Sequence, residues 1–272
     1  TLANYDALAA LQGVSFSNLD TITVEYTLQQ AIDAGSELRP NYAINTDPAS
    51  RLERSYNSIG DAQQDYNQYL SIVQGAQNNP NLRDAFRWDI TDSAPNIIGA
   101  RTEAFLLQAR EVRVSDDNIS QQQYQDLRAL NNFVLGDTIV DYQTLADAVG
   151  ARAANVLAPA DSYRIINDTD YVIQQPLTVA NALTQLNIVK GVLAGATNRS
   201  EADFAELYIW NISDTPARIL NAATQDHITG AATIFADANG RITFAEYTAL
   251  VEALGVDGFT YNLVLYTLQQ AI

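Results

Sequence analysis

The chain has 272 residues, an apolar fraction of 47% that is enough to bury a core, and 32 acidic against 15 basic side chains for a net charge of −17. That charge repels phosphate backbones and anionic headgroups, which excludes nucleic acid and bare membrane as partners, and Lys190 is the one lysine among scattered arginines, so no basic patch can be drawn. Neither cysteine nor methionine is present, which excludes disulfide, thiolate and thioether chemistry and suits an exported protein.

The chain opens at Thr1 with neither an initiator nor a leader, as expected of an internal or processed segment. The first strand-like stretch, TITVE from Thr21, runs into the string YTLQQAI at 26–32. YAIN from Tyr42 is the next, followed by Asp47-Pro48, where aspartate caps and proline starts a helical turn. A further coil is expected around 57–60, hidden in a gap between strand-like openings about twice the usual length. WDIT from Trp88 leads to Asp92-Ser93-Ala94-Pro95, with Asp92 as the expected N-cap and Ile97 returning the apolar face to the core. VRVS from Val112 precedes Asp116-Asp117, and Ser120 after Ile119 opens a helix with Tyr124 and Leu127 on one stripe. TIVDY starts at Thr138.

From there the pattern recurs. Tyr163, Ile165, Asp168 and Ile173 follow Tyr42, Ile44, Asp47 and Leu52 at a displacement of 121. Leu177 to Ala180 stand where the coil at 57–60 stood, and Ile188, Val189 and Gly191 match Ile72, Val73 and Gly75 at 116, so the loop that follows is expected to be longer in the second copy. Trp210, Ile212, Asp214 and Ile219 match Trp88, Ile90, Asp92 and Ile97 at 122, so both tryptophans occupy one repeat position and Asp214 is again the expected cap. Val114 and Asp116 map to Phe235 and Asp237 at 121; Ile242-Thr243 then repeats the helix start, with Tyr247 and Leu250 following, and the chain closes on YTLQQAI at 266–272. The longest apolar run, 186–196, is broken by Lys190 and falls short of the ~20 residues that span a bilayer.

Strand-like openings about 20 to 26 residues apart predict an α/β repeat: a helix-rich, solenoid-like array of short strand–turn–helix coils, with about two copies of a unit of about 121 residues. Copy one takes 1–119, copy two 120–242, and 243–272 begins a third.

Chemical sites are sparse. His227 is the single histidine and has no histidine counterpart in the other copy, so neither a His-based zinc cluster nor a Cys–His pair can be built. No G-x-S-x-G, P-loop or dinucleotide-binding glycine triplet occurs. The carboxylate pairs Asp116–Asp117, Asp168–Asp170 and Asp89–Asp92 lie at turns, where a glycosidase needs two carboxyls converging across a cleft; helix capping is the better expectation. Between Phe235 and Glu246 the sequence resembles the middle and end of an EF-hand loop, which makes Asp237, Asn239 and Glu246 the candidate metal ligands and calcium the candidate ion. Phe235 stands where that loop needs its first carboxylate, so tight binding is not expected, and no other cofactor is implied. Asn118, Asn167, Asn198 and Asn211 head N-x-S/T triplets, which chance and capping also explain.

The signature I-x-D-[ST]-x-x-x-I, with the helix starts aliphatic-[TS]-x-A-x-Y/A-x-x-L, resembles the tandem repeats of large secreted bacterial surface proteins, the RTX-type adhesins and S-layer-like proteins. The glycine-rich calcium nonapeptides of the RTX class are absent. The resemblance implies a non-catalytic structural or adhesive segment at the bacterial cell surface, its partners neighbouring repeats of the same chain and, beyond them, a surface glycan or another surface protein. The alternative is a carbohydrate-binding module presenting Trp88, Trp210, Tyr42 and Tyr163, although alternation with isoleucine points the tryptophans to the core side of a strand. A glycoside hydrolase is third.

Overall fold

A computed structural model describes residues 2–11, 22–167, 169–236, 241–261 and 264–265. The chain forms two compact units, Thr1–Thr138 and Ile139–Ile272. The first contains α1 (Leu2–Ala9), β1 (Val24–Tyr26), α2 (Leu28–Ala34), β2 (Tyr42–Ile44), β3 (Leu52–Tyr56), α3 (Ile59–Gly75), α4 (Leu82–Ala85), β4 (Phe86–Asp92), α5 (Ala94–Gly99), α6 (Ala104–Leu107), β5 (Glu111–Val114), β6 (Asn118–Ser120), α7 (Gln121–Leu127) and β7 (Phe133–Val134). The second contains β8 (Ile139–Tyr142), α8 (Leu145–Ala153), β9 (Tyr163–Ile165), β10 (Tyr171–Val172), α9 (Val179–Gly195), α10 (Phe204–Leu207), β11 (Tyr208–Ile209), β12 (Asn211–Ser213), α11 (Pro216–Ala222), α12 (Asp226–Thr229), β13 (Thr233–Phe235), β14 (Ile242–Thr243), α13 (Phe244–Leu254) and β15 (Val264–Leu265).

This is a mixed α/β arrangement of several small parallel sheets and thirteen α-helices among the described residues, and it corrects the expected solenoid-like array. In the first unit β1 pairs with β2, and β3, β4, β5 and β7 form a separate four-stranded sheet. In the second, β8–β9, β10–β11, β12–β13 and β14–β15 pair in parallel. A continuous solenoid needs each coil's strand to pair with the next along the whole stack. Here strands of two to seven residues break that ladder: β2 and β3 follow each other in sequence but lie in different sheets. Sequence periodicity reports which residues face inward, and says nothing of which strand edges meet.

Local structure follows the residues. Alternation in β4 buries Phe86, Trp88 and Ile90, while Arg87 faces outward. In α3 the buried side chains Ala62, Tyr66, Tyr69 and Val73 recur every three to four residues, as a helix packed on one face requires. Capping boxes at Ser120 with Gln123 and at Thr243 with Glu246, and the Thr178 side chain accepting from Asn181 N at 3.2 Å, match the expected hydroxyl caps.

Equivalent contacts recur at the anchor positions. Trp88, 1% exposed, donates from Nε1 to the Phe105 carbonyl at 2.8 Å, and Trp210, 2% exposed, donates to the His227 carbonyl at 2.9 Å. Each indole stacks on the aromatic ring two residues before it, Phe86 at 4.6 Å and Tyr208 at 4.8 Å between centroids. Asn78 exchanges two hydrogen bonds with the backbone of Ile44, and Asn198 does the same with Ile165, so the Asn198 side chain serves as a backbone clamp.

Two sequence alignments need correction. Tyr42 donates its hydroxyl to the Ile72 carbonyl at 2.6 Å and Tyr163 to the Val192 carbonyl at 2.5 Å, so Gly75 corresponds to Gly195 and Ile72 to Val192, one helical turn beyond the match with Gly191 and Ile188. An apolar stripe repeats every three to four residues, and a pattern match can slip by a turn. Likewise Ile90 pairs with Val112 and Ile212 with Ile234, which sets buried Val114 against Ala236 and leaves Phe235, 40% exposed, on the other face. A slip of one residue in a strand reverses its faces.

The tyrosine contacts make the two helix-end glycines a requirement: a Cβ on Gly195 would lie 2.6 Å from the hydroxyl of fully buried Tyr163. Gly195→Ala is expected to lower stability by about 1–3 kcal/mol through forced displacement of a packed ring. Thermal denaturation checks this, and an unchanged midpoint would mean that the ring yields freely.

Candidate functional site

Of the candidate metal ligands, Asp237 and Asn239 lie outside the described residues. Glu246 is half-buried in the first turn of α13, where its carboxylate accepts from Thr243 N and Thr243 Oγ1, both at 2.8 Å. Among the described residues no group of three or more His, Asp or Glu side chains is placed to hold a metal ion.

The turn aspartates act differently from expectation. The N-caps of α5 and α11 are Ser93 and Thr215, neither with a side-chain cap bond, and Asp92 and Asp214 sit one residue earlier. From there their carboxylates reach sideways to a neighbouring element. Asp92 accepts from Ile59 N at the start of α3 (2.7 Å), from Ser93 N (2.7 Å) and from Asn96 Nδ2 (2.8 Å). Asp214, 4% exposed, accepts from Val179 N at the start of α9 (3.0 Å), Thr215 N (2.7 Å) and Arg218 (3.3 Å). Asp116, beyond β5, accepts from Ala94 N at the start of α5 (2.6 Å). Each aspartate, at or just beyond the end of a strand, binds a first-turn amide of a helix whose preceding backbone pairs with that strand, and there the helix dipole also favours negative charge. The pairings are β3–β4, β4–β5 and the Leu177–Ile212 bridge respectively for Asp92, Asp116 and Asp214. Asp47 does cap its own short turn, accepting from Ala49 N at 2.9 Å. Of the paired carboxylates, Asp89 does not converge with Asp92: it forms a two-pronged pair with Arg110. Asp168 lies outside the described residues.

His227 is 1% exposed, and its Nε2 is buried with no hydrogen-bond partner among the described residues. It stands where the first unit has Phe105, since both main-chain carbonyls receive the indole N–H described above. Burial pushes the imidazole below its ordinary pKa, and adjacent Asp226 opposes that only in part.

One concave surface among the described residues was not legible in the sequence. Arg51 immediately before β3, Arg83 in α4, Arg87 in β4 and Arg110 immediately before β5 converge, with Asp84, Phe86, Gln108 and Asn81, whose Oδ1 accepts from Arg83 N at 3.0 Å, on a cleft of about 610 Å³ in the first unit. It lies at the edge where these parallel strands begin, opposite the edge carrying Asp92 and Asp116. Four arginines separated by up to 59 positions form the basic cluster that linear spacing concealed. Arg110 is held by Asp89 and, at 3.5 Å, by Glu53. Arg51 donates from Nε to the Asp84 carbonyl at 2.9 Å, which fixes its stem. Arg83 and Arg87 are exposed, and among the described residues no carboxylate pairs with either guanidinium.

No protein family, curated protein or solved structure matches the chain. The likeness to RTX-type and S-layer-like repeats therefore rests on the sequence motifs alone. No helix among the described residues is long and apolar enough to cross a membrane.

Proposed function

We propose that the chain is a non-catalytic structural or adhesive segment of a secreted bacterial surface protein, with further domains of that protein as its neighbours. One observation carries the reading: the turn aspartates that would furnish acid–base or metal chemistry are bound to first-turn helix amides, with Asp92, Asp116 and Asp214 each anchoring a helix other than the one that follows it in sequence. For Asp92, burial opposes the charge but hydrogen bonds from Ile59, Asn96 and Ser93 outweigh it and hold the carboxyl below its ordinary value, which makes it a poor proton shuttle at neutral pH. Burial of Trp88, Trp210, Tyr42 and Tyr163 disfavours the alternative in which those rings form a sugar-stacking platform.

The distinction between scaffold and calcium-switched protein is open to a melt. Self-repulsion among 32 acidic groups predicts that stability rises gradually with sodium as well as calcium, through screening. A saturable rise at micromolar calcium that sodium does not reproduce would instead demand a dedicated ion site. Hydrolysis of ester, phosphate or glycoside substrates above background would overturn the non-catalytic reading.

A further inference from the structure

We propose that the arginine-lined cleft of the first unit binds a uronate-bearing oligosaccharide, its sugar carboxylates held by Arg83 and Arg87 and its hydroxyls by the amides of Asn81 and Gln108. The proposal deepens the adhesive reading and rests on it for the cell-surface setting; the binding itself is testable apart from that reading.

The arginines are an addition to the framework. At the displacement of 122 that aligns Trp88 with Trp210, Arg83, Arg87 and Arg110 correspond to Ala205, Ile209 and Ala232. The tryptophan contacts are the same in both places, so neither the strand nor its indole anchor needs the arginines. Arg110 is neutralised by Asp89 and Glu53, and Asp84 also lines the cleft, but neither Arg83 nor Arg87 has a carboxylate within ion-pair distance among the described residues, and like charges held side by side cost Coulomb energy. Elsewhere Arg113, Arg164 and Arg218 each pair with a carboxylate, while Arg54 and Arg101, which meet only an amide and a carbonyl oxygen, line no cleft with a second arginine among the described residues. Two unpaired guanidinium groups at the rim of a cleft therefore mark an oxyanion site, and the guanidinium fork matches a carboxylate in two-pronged geometry.

The ligand class follows from what else is there. A cleft of about 610 Å³ is of a size for small molecules, and two sugar rings fit it. Phe86 is fully buried and offers no face to a nucleobase, and the net charge of −17 repels a long polyanion such as nucleic acid before it reaches the site. A short saccharide with a carboxylate among hydroxyls satisfies both donor types and carries little charge through that field.

Calorimetric titration of the whole chain at low salt tests this with three probes: digalacturonate, the neutral disaccharide cellobiose, and inorganic sulfate. Digalacturonate is expected to bind with a Kd below about 1 mM, cellobiose not at all, and sulfate at least tenfold more weakly than digalacturonate. Arg83→Ala with Arg87→Ala should weaken digalacturonate at least tenfold at an unchanged melting temperature, whereas Arg113→Ala should leave binding as it is. If the double alanine variant misfolds, Arg83→Gln with Arg87→Gln replaces it. No heat with digalacturonate at about 10 mM, sulfate binding as tightly as digalacturonate, or full affinity in a folded double variant would each overturn the proposal. A micromolar calcium response would overturn the structural reading above and leave this result standing.

Discussion

Asp214→Ala should cost about 3 kcal/mol, well above the ~1 kcal/mol of an ordinary N-cap, because removing this buried carboxylate strands two backbone N–H groups, those of Val179 and Thr215, in separate elements. Asp92→Ala removes equivalent bonds at a half-buried position, where water can replace part of the loss, and should cost about 1–2 kcal/mol. Asp214→Asn keeps an acceptor oxygen and should fall between the wild type and Asp214→Ala. Urea denaturation of the three variants decides it; a change under about 0.5 kcal/mol for Asp214→Ala would show that the cross-strand bond contributes nothing. The same geometry sets an acid limit. Burial works against the charge of Asp92, yet hydrogen bonds from Ile59, Asn96 and Ser93 together outweigh it and hold the carboxyl below its ordinary value. Its stabilising contribution is complete above the unfolded pKa of about 3.9 and disappears as pH falls through the lower folded value.

A second large effect is expected at milder acidity. His227 is held neutral by burial while the unfolded chain titrates near its ordinary pKa of about 6.5, so unfolding takes up a proton below that pH. Stability should be level above about pH 7 and fall by up to about 1.4 kcal/mol per pH unit below 6.5, until the folded-state pKa is reached. Charged groups beside the ring include Asp226 on its own helix, whose carboxylate is shared with Lys190 of α9, and Arg218 of α11, which lines the same cavity. Only Asp226 favours the imidazolium, and its attraction is divided. His227→Phe restores what stands at Phe105, removes an unpartnered ring nitrogen, and should abolish this slope while raising stability at pH 7 by about 1 kcal/mol. Denaturation midpoints at pH 7, 6 and 5 measure both. A wild type flat across that range, or a His227→Phe variant that still declines with the same slope, would place the titrating group elsewhere.

What the sequence disclosed and what it withheld follow one line of division. Strand positions such as those at Tyr42, Trp88 and Val112 were legible because alternation is a local property, and so were the caps Ser120, Thr178 and Thr243, whose bonds reach only three residues ahead. Asp92 and Asp214 looked like caps of the helices after them, but their bonds run 33 and 35 residues back, a distance that spacing within a turn cannot express. The arginine cleft was hidden for the same reason, since its members come from α4 and from the beginnings of three strands. Sheet pairing was hidden most completely, and the solenoid expectation failed there. No candidate ligand among Asp237, Asn239 and Glu246 was separable from a cap by sequence, and Glu246 is occupied as one.

The backward reach of the aspartates governs where this polypeptide can be divided. A recombinant piece that ends after α5, at Ala100 for example, keeps every residue of that helix but discards Asp116, the acceptor for its first-turn amide at Ala94. Cutting within the stretch after α9 and before β12 likewise keeps the long helix and deletes the carboxylate bound to Val179 N. Serviceable C-terminal boundaries therefore lie beyond the next strand and its aspartate, one element later than helix limits alone suggest.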